Sequence, residues 1–260
     1  MPLLELRNIS KTFTQPGALP LKALDDVSLR IDPGECVAIV GESGSGKSTL
    51  ARIAFRLLEA DGGEILLDGD PVAEMSSDTW NVRRLAMQPV FQDPSGSFNP
   101  RRTVQSSLLQ AIGQCVPRET MPPRERALEL LGQVELRPSA EYLGRYPHEL
   151  SGGQRQRLAI ARALATRPRL IIADEPLSGA DVSIRAQILN LLLDLRERQN
   201  IAILIITHDM LVARALADRV VVMLRGKVVE HGSTETVMNA PQNPYTQRLL
   251  SAVLSVDIAS

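Results

Sequence analysis

The chain has 260 residues, a formal net charge of −1 and two cysteines. That length can bury a large core, as one domain with an inserted subdomain or as two small domains. The balanced charge argues against a strongly basic face for nucleic acid. Cys36 and Cys115 stand too far apart for a metal-ligand spacing, and Cys36 lies in an apolar run that reads as core, which fits a reducing cytosol.

The opening MPLLELRNISKTF turns polar too soon for a secretory leader. The longest apolar runs, such as IAILII from Ile201, fall far short of the roughly 20 residues of a membrane helix. The expectation is a soluble chain that is held at a membrane, if at all, by something else. LLELRNIS alternates apolar and polar, as does VSLRI from Val27 to Ile31, so both are predicted strands. DPGE at Asp32 is a predicted turn. CVAIV, from Cys36 to Val40, is continuously apolar and is predicted to be a buried strand. From Ser48 the period changes. Leu50, Ile53, Ala54, Leu57 and Leu58 share one helical face, which predicts a helix running through Leu58.

The middle, about Asp93 to Leu164, is predicted to be helical, with several prolines and no strong strand. Two buried strands follow, LIIAD from Leu170 and IAILIIT from Ile201, with a Leu- and Ile-rich helix from about Ser183 to Gln199 between them. RVVVMLRGKVVEHG predicts a hairpin turning near Arg225–Gly226. The tail after Gly232 is predicted to be mostly helical, broken by Pro241 and Pro244. Parallel strands with helical crossovers make an α/β fold.

GESGSGKS, Gly41 to Ser48, matches G-x-x-x-x-G-K-[ST] between a buried strand and a helix. By chance the pattern arises in on the order of one chain in a hundred of this length, and the context lowers that further. The glycines let backbone amides curl around phosphates, Lys47 brings charge to them, and the Ser48 hydroxyl is a Mg²⁺ ligand. LIIADEP ends a buried strand with Asp174 and Glu175, at the sheet edge where ligands of open α/β folds bind. Asp174 is placed to hold Mg²⁺ through water, and Glu175 to act as general base. The next buried strand ends in THD, which predicts that His208 emerges on the same sheet edge, for a γ-phosphate contact and for orienting water. Gln92 in PVFQDP is either polar surface or a Mg²⁺ or water ligand. For Phe13, adenine stacking and a core role stand equally open.

A second phosphate-binding turn stands in ELSGGQRQR. Ser151, Gly152 and Gly153 precede a helix with Leu158, Ala161, Leu164 and Ala165 on its apolar side, and such a helix tip binds anions. It lacks a lysine, so it completes a nucleotide site rather than making one. A head-to-tail pair follows, in which this tip caps the γ-phosphate held by another subunit.

GESGSGKST, FQDP, LSGGQRQR, LIIADEP, an Asp181 turn and THD, in this order, resemble the ATP-binding subunit of an ABC transporter along nearly the whole chain. FQDPSGSFNPRRTV, YPHELSGGQRQRLAIARAL, DVSIRAQILNLLLDL and NPYTQRLLSAV are similar to one branch, the ATPases of oligopeptide, dipeptide and nickel importers. The resemblance implies a P-loop NTPase with a RecA-like core, an antiparallel β subdomain and an inserted helical subdomain. Core and β subdomain would span 1–92 and 165–232, the helical subdomain 93–164 and a helical tail 233–260. It implies ATP and Mg²⁺ as ligands. Phe13 would stack on adenine, and Gly41, Glu42, Ser43, Gly44, Ser45, Gly46, Lys47, Ser48 and Thr49 would form the phosphate loop. Gln92 would be the Q-loop glutamine and His208 the switch histidine. Ser48, Gln92 and Asp174 would serve the metal, and Ser151, Gly152, Gly153, Gln154 and Asp181 would contact nucleotide in trans.

The implied partners are a second ATPase subunit, two membrane permeases at the cytoplasmic face of the plasma membrane and, indirectly, a solute-binding protein, with no nucleic acid. Three features depart from the branch. The turn after Glu175 reads LSGAD, where Gly179 and Ala180 replace a SALD-like run. Pro89 interrupts a strand, implying an edge or a bulge. The tail lacks the cysteine cluster of some longer members. The rival functions are a soluble ABC ATPase acting on DNA or ribosomes, a non-catalytic assembly module, and an exporter ATPase. The intact acid and histidine speak against the second.

Overall fold

The structure, a computed structural model, describes residues 1–14, 16–17, 19–93, 95–115, 120–178 and 181–257. The Gly179–Ala180 departure in the LSGAD turn lies outside the described residues. In chain order the strands are β1 (Leu4–Phe13), β2 (Leu21–Ile31), β3 (Cys36–Val40), β4 (Gly62–Leu67), β5 (Asp70–Pro71), β6 (Met87–Val90), β7 (Leu170–Asp174), β8 (Ala202–Thr207), β9 (Arg219–Leu224) and β10 (Lys227–Ser233). The helices are α1 (Lys47–Ala54), α2 (Ser77–Arg83), α3 (Val104–Ile112), α4 (Pro123–Gln133), α5 (Ser139–Leu143), α6 (Gly152–Leu164), α7 (Val182–Gln199), α8 (Met210–Leu216), α9 (Thr234–Asn239) and α10 (Pro244–Asp257). The chain divides into two compact units, Met1–Ser76 with Ala202–Ser260, and Ser77–Ile201.

In the first unit an antiparallel sheet runs in the order β2-β1-β4-β5. The alternation read from LLELRNIS is kept at its start, where Leu4 and Leu6 are buried and the register pairs Leu4 with Ile31 and Leu6 with Leu29. Beside that sheet, β3 is flanked by β8 and β9, both parallel to it, and β10 closes an antiparallel hairpin on β9. All five residues of β3 and all six of β8 are buried, as expected of continuous apolar runs covered on both faces. The β9–β10 turn falls at Arg225 (φ 48°) and Gly226 (φ 80°), two left-handed residues in succession, the geometry that matches the twist of a tight hairpin. Pro244 opens α10 at the first helical position, where a missing N–H does no harm.

One expectation fails here. The helix after the phosphate loop ends at Ala54 and does not reach Leu58. Arg56 adopts φ 52°, its N–H bonds the Ile53 carbonyl at 2.9 Å, and the Leu57 N–H reaches back to the Arg52 carbonyl at 2.9 Å. That pair of bonds is a Schellman closure, built on arginine instead of the usual glycine. Leu57 is left 62% exposed.

In the second unit β6 and β7 run parallel, with Val90 opposite Ala173. Pro89 sits in β6, which ends the strand order and so has a strand neighbour on one side alone. This is the edge position that proline tolerates. Helices α3 to α6 gather around Val104, Leu108, Leu130, Leu131, Leu158 and Ile160, all buried. The apolar side of α6 is as read: Leu158, Ala161, Leu164 and Ala165 are each no more than 1% exposed. Cys36 and Cys115 are both buried and unpaired by any disulfide.

Candidate active site

The register of the first unit fixes where its ligand-facing edge lies. Val40 stands opposite Thr207, so the chain leaves β3 at Gly41 and β8 at His208 on the same edge. The loop from Gly41 to Gly46 is shaped by close backbone contacts. Gly41 has φ 152°, and a Cβ there would sit 2.2 Å from the Met223 carbonyl oxygen. Gly46 has φ 105°, and its Cβ would meet the Ala23 carbonyl oxygen at 2.5 Å. At Gly44, φ is 80° with open space around it, so there the backbone angle alone asks for glycine. The loop is tied down by the Ser45 N–H donating to the Glu42 carbonyl at 3.2 Å and the Gly226 N–H donating to the Ser45 carbonyl at 3.0 Å.

Lys47 opens α1 and is 6% exposed. Its ammonium donates to the Gly41 carbonyl at 2.7 Å, the Glu42 carbonyl at 2.8 Å and the Ser45 hydroxyl at 3.3 Å. A buried ammonium needs its three donors satisfied, and the loop satisfies them while keeping the charge at its centre. Glu42, Ser43 and Gly44 form the exposed tip, and Ser48 and Thr49 are half-buried in the first turn of α1. Phe13 ends β1 and is 38% exposed, with the Lys11 ammonium 6.0 Å from the ring centroid. It is therefore a surface aromatic and not a core residue.

In the second unit, the pairing of Val90 with Ala173 brings Gln92 and the Asp174–Glu175 pair to one edge. The Gln92 amide donates to the Ser178 hydroxyl at 3.2 Å, which joins the turn after β6 to the turn after β7. Glu175 has φ 48°, and its carbonyl accepts from the Ser178 N–H at 3.1 Å. A left-handed glutamate at a strand end stores strain, a feature that gathers at functional sites.

Ser151 caps α6. Its hydroxyl accepts from the Gln154 N–H at 3.3 Å, and the Gln154 side-chain oxygen accepts from the Ser151 N–H at 3.0 Å, a reciprocal capping box. The Gln154 amide also donates to the Tyr142 hydroxyl at 3.2 Å. Ser151 and Gly152 are exposed, while Gly153 is buried against Ile184. Asp181 does for α7 what Ser151 does for α6, its carboxylate accepting from the Ile184 N–H at 2.8 Å. Sequence reasoning took both residues for ligand contacts and missed that each already holds a helix end.

Two further residues escaped it. Arg157, 8% exposed, donates to the Val134 carbonyl at 3.0 Å, to Glu135 at 2.8 Å and to Gln187 at 2.9 Å, locking α6 to its neighbours. Tyr245, 5% exposed, accepts from the Glu42 N–H at 3.0 Å. In the sequence it stands within NPYTQRLLSAV, a stretch read for its likeness to one branch and not as part of the site.

The residues present fit a magnesium nucleotide. The loop's glycines leave no Cβ where Gly41 and Gly46 pack, Lys47 supplies a fixed cation, and the α1 N-terminus adds its dipole. Ser48 in the first unit, and Gln92 and Asp174 in the second, each carry a hard oxygen of the kind that suits Mg²⁺.

A buried parallel strand, a glycine loop closing on a buried lysine, and acids at a strand end define a P-loop nucleotide-binding protein of the α/β class. The ABC transporter family signature matches residues 24–178. A putative peptide import ATP-binding protein of Brucella ovis is 45% identical over 98% of this chain and 80% of its own length. The glutathione import ATP-binding protein GsiA of Escherichia coli O157:H7 is 44% identical over 97% of this chain, which spans 41% of that protein. Among solved structures, the dimeric post-hydrolysis state of the ATP-binding cassette MJ0796 with ADP and Pi matches with TM-score 0.78 and 35% identity, covering 89% of this chain and 98% of that one. CbiO1 from Clostridium perfringens, part of the cbiONQ transporter complex, matches with TM-score 0.79 and 27% identity over 100% of this chain and 99% of that one. The chain belongs to the ATP-binding subunits of the ABC transporter family, and it is an ABC-type ATPase.

Proposed function

We propose that this chain is the ATP-hydrolysing subunit of an importer of short peptides. It works as one of a pair of cassettes docked on two permeases at the cytoplasmic face of the membrane. No helix among the described residues is long and apolar enough to cross a membrane, and the permeases supply that passage. The observation that carries the ATPase reading is the phosphate loop with Lys47 drawn into its centre. The cargo class rests on the likeness, along nearly the whole of this chain, to proteins named for peptide and glutathione import.

In this proposal the Lys47 ammonium and the loop amides hold the β- and γ-phosphates. Phe13 stacks on the adenine. Ser48, Gln92 and Asp174 would hold Mg²⁺, which would supply charge to offset that of the phosphates. Glu175 accepts a proton from the water that attacks the γ-phosphorus, as the bond to the bridging oxygen breaks and ADP leaves. A positioned base contributes about 10²–10⁴ in rate. His208 donates to a γ-phosphate oxygen and orients that water. Residues 93–164 form the helical subdomain, whose tip at Ser151, Gly152, Gly153 and Gln154, with Asp181, meets the nucleotide held by the other subunit.

Nucleotide drives closure only through contacts made in the closed pair and absent from the open one. Moving such a pair from 1:99 to 99:1 needs about 5.5 kcal/mol of differential affinity. Hydrolysis removes the γ-phosphate bridge and reopens the pair, moving the permeases. The test is Glu175→Gln in the assembled transporter. Phosphate release is expected to fall by at least about a hundredfold while ATP stays bound and the cassettes stay paired. Turnover at the wild-type rate rejects Glu175 as the base.

A further inference from the structure

The phosphate loop is gripped from a side that the nucleotide chemistry does not use. The Gly41–Glu42 peptide is held at both ends. Its carbonyl, that of Gly41, accepts from the Lys47 ammonium at 2.7 Å, and its N–H, that of Glu42, donates to the Tyr245 hydroxyl at 3.0 Å. The next carbonyl, that of Glu42, accepts from the Lys47 ammonium at 2.8 Å and from the Ser45 N–H at 3.2 Å. Tyr245 lies more than 200 positions away in α10, so a tail helix reaches the loop that carries the ammonium.

The tyrosine is itself fixed in place. Its N–H donates to the Asn243 side-chain oxygen at 2.9 Å, and the Asn243 carbonyl accepts from the Gln247 N–H at 3.1 Å, so Asn243 caps α10. The cap is moored to β10. Both oxygens of Glu230 accept backbone N–H groups, from Gln242 at 2.7 Å and Asn243 at 3.1 Å, and the Asn243 amide donates to the Val229 carbonyl at 3.3 Å. The ring is buried, its hydroxyl is directed at a single loop amide, and the Arg248 guanidinium lies 6.0 Å from the ring centroid. A cavity of about 540 Å³, lined by Glu42, Ser43, Ser45, Leu224, Tyr245 and Arg248, runs beside this contact. The loop thus meets α10 at the Glu42–Tyr245 hydrogen bond, next to open space. Burial holds the Tyr245 phenol above its usual range, so it stays protonated and neutral at physiological pH.

We propose that Tyr245 is a positioning residue for nucleotide binding: its hydroxyl sets the orientation of the Gly41–Glu42 peptide, and that peptide's carbonyl, the Gly41 oxygen, sets the resting place of the Lys47 ammonium. The C-terminal helix is thereby a determinant of nucleotide affinity, and displacement of α10 by a bound partner would loosen the loop. The proposal rests on Lys47 as the phosphate-binding cation.

The test uses the full chain and three variants, with ATP and ADP affinity, melting temperature, and the KM and kcat of phosphate release in the assembled transporter as readouts. Tyr245→Phe keeps the ring and removes the hydroxyl. It is expected to weaken nucleotide binding about tenfold and to raise KM with kcat within about twofold, because the lost contact acts on ground state and transition state alike. Its melting temperature should stay within about 3 °C of wild type. Thr246→Ala trims a fully buried side chain of α10 that does not line this cavity, and so loosens the packing of the helix without touching the hydroxyl. It is expected to lower the melting temperature and leave nucleotide affinity within about twofold. Unchanged affinity in Tyr245→Phe overturns the proposal, as does an equal loss in both variants, which would make generic loosening of the helix the cause. Lys47→Ala separates the premise from the proposal. If Lys47→Ala abolishes nucleotide binding while Tyr245→Phe is silent, the positioning role alone falls. If Lys47→Ala binds normally, the phosphate-loop reading falls first.

Discussion

Gly152 lacks a side chain for no reason that the described residues supply. A Cβ built there meets no atom within 4 Å, whereas one built on Gly153 comes within 2.8 Å of Ile184 Cγ2 and 3.2 Å of its Cδ1. The two neighbours therefore answer Gly→Ala differently. Gly152 is the first residue of α6 at a backbone angle open to alanine, so Gly152→Ala should stabilise the chain by about 0.4–1 kcal/mol through its unfolded state. At about 2–4 °C per kcal/mol for a chain of this size, the melting temperature rises by about 1–4 °C. Gly153→Ala gains a similar amount of helix propensity but must push the Ile184 side chain aside, at about 1–3 kcal/mol, and so melts lower or unchanged.

Function should run the other way at Gly152. Every helical Cα–Cβ bond tilts toward the N-terminus, so the new methyl projects past the tip, in front of the amides of residues 152 and 153. If those amides cap a phosphate held by the other subunit, donor-to-oxygen distances of about 2.7–3.1 Å leave no room for it. ATP turnover in the assembled transporter should then fall about ten- to a hundredfold, a rise of about 1.4–2.8 kcal/mol in the barrier. The assay pairs calorimetric melting of the variant with phosphate release from the complex. A Gly152→Ala protein that melts higher and turns over normally refutes the capping role. One that melts lower refutes the structural half of the reasoning.

The phosphate loop offers a second contrast. Gly41→Ala forces a Cβ to within 2.2 Å of a backbone oxygen, while Gly44→Ala suffers from its φ of 80° alone. Gly41→Ala should therefore lower stability by about 1–3 kcal/mol more than Gly44→Ala in denaturant titration, and equal losses would contradict the packing described. Glu230 is predicted to sense acid. Burial alone would raise its pKa, but the Thr246 hydroxyl together with the N–H donors of Gln242 and Asn243 outweighs burial and holds the carboxyl below its ordinary 4.5. With a depressed folded pKa, its contribution is complete above about pH 4.5 and is lost as pH falls through the folded value. Glu230→Gln should flatten the acid limb of melting temperature against pH, and an unchanged limb would place that titration elsewhere.

The placement of several candidate site residues was legible because they sit at the ends of strands. Continuous apolar runs such as Cys36–Val40 and Ala202–Thr207 mark buried strands whatever packs on them, so the residues that follow, Gly41 and His208, were placed by their neighbours' burial. Pro89 announced an edge for the same local reason. Features that depend on unmarked backbone angles did not show. The helix after Lys47 keeps its apolar period through Leu58, yet Arg56 turns left-handed and ends it. Glu175 is left-handed with nothing in its residue type to say so. Ser151 and Asp181 were taken for ligand contacts, and a capping role looks the same in sequence, because both uses need a short side chain with an oxygen at a helix start. Tyr245 was invisible because its partner is a backbone N–H roughly two hundred residues earlier, a contact that no local pattern encodes.

The head-to-tail nucleotide site is tested most directly by a crosslink. Ser151→Cys, labelled with a short photoreactive group in the assembled transporter, reports what faces the tip of α6. With ATP bound, the adduct should map to the phosphate-loop peptide of a different ATP-binding subunit, and its yield should collapse without nucleotide. Adducts confined to the labelled subunit's own chain, or formed equally with and without ATP, would contradict the shared site.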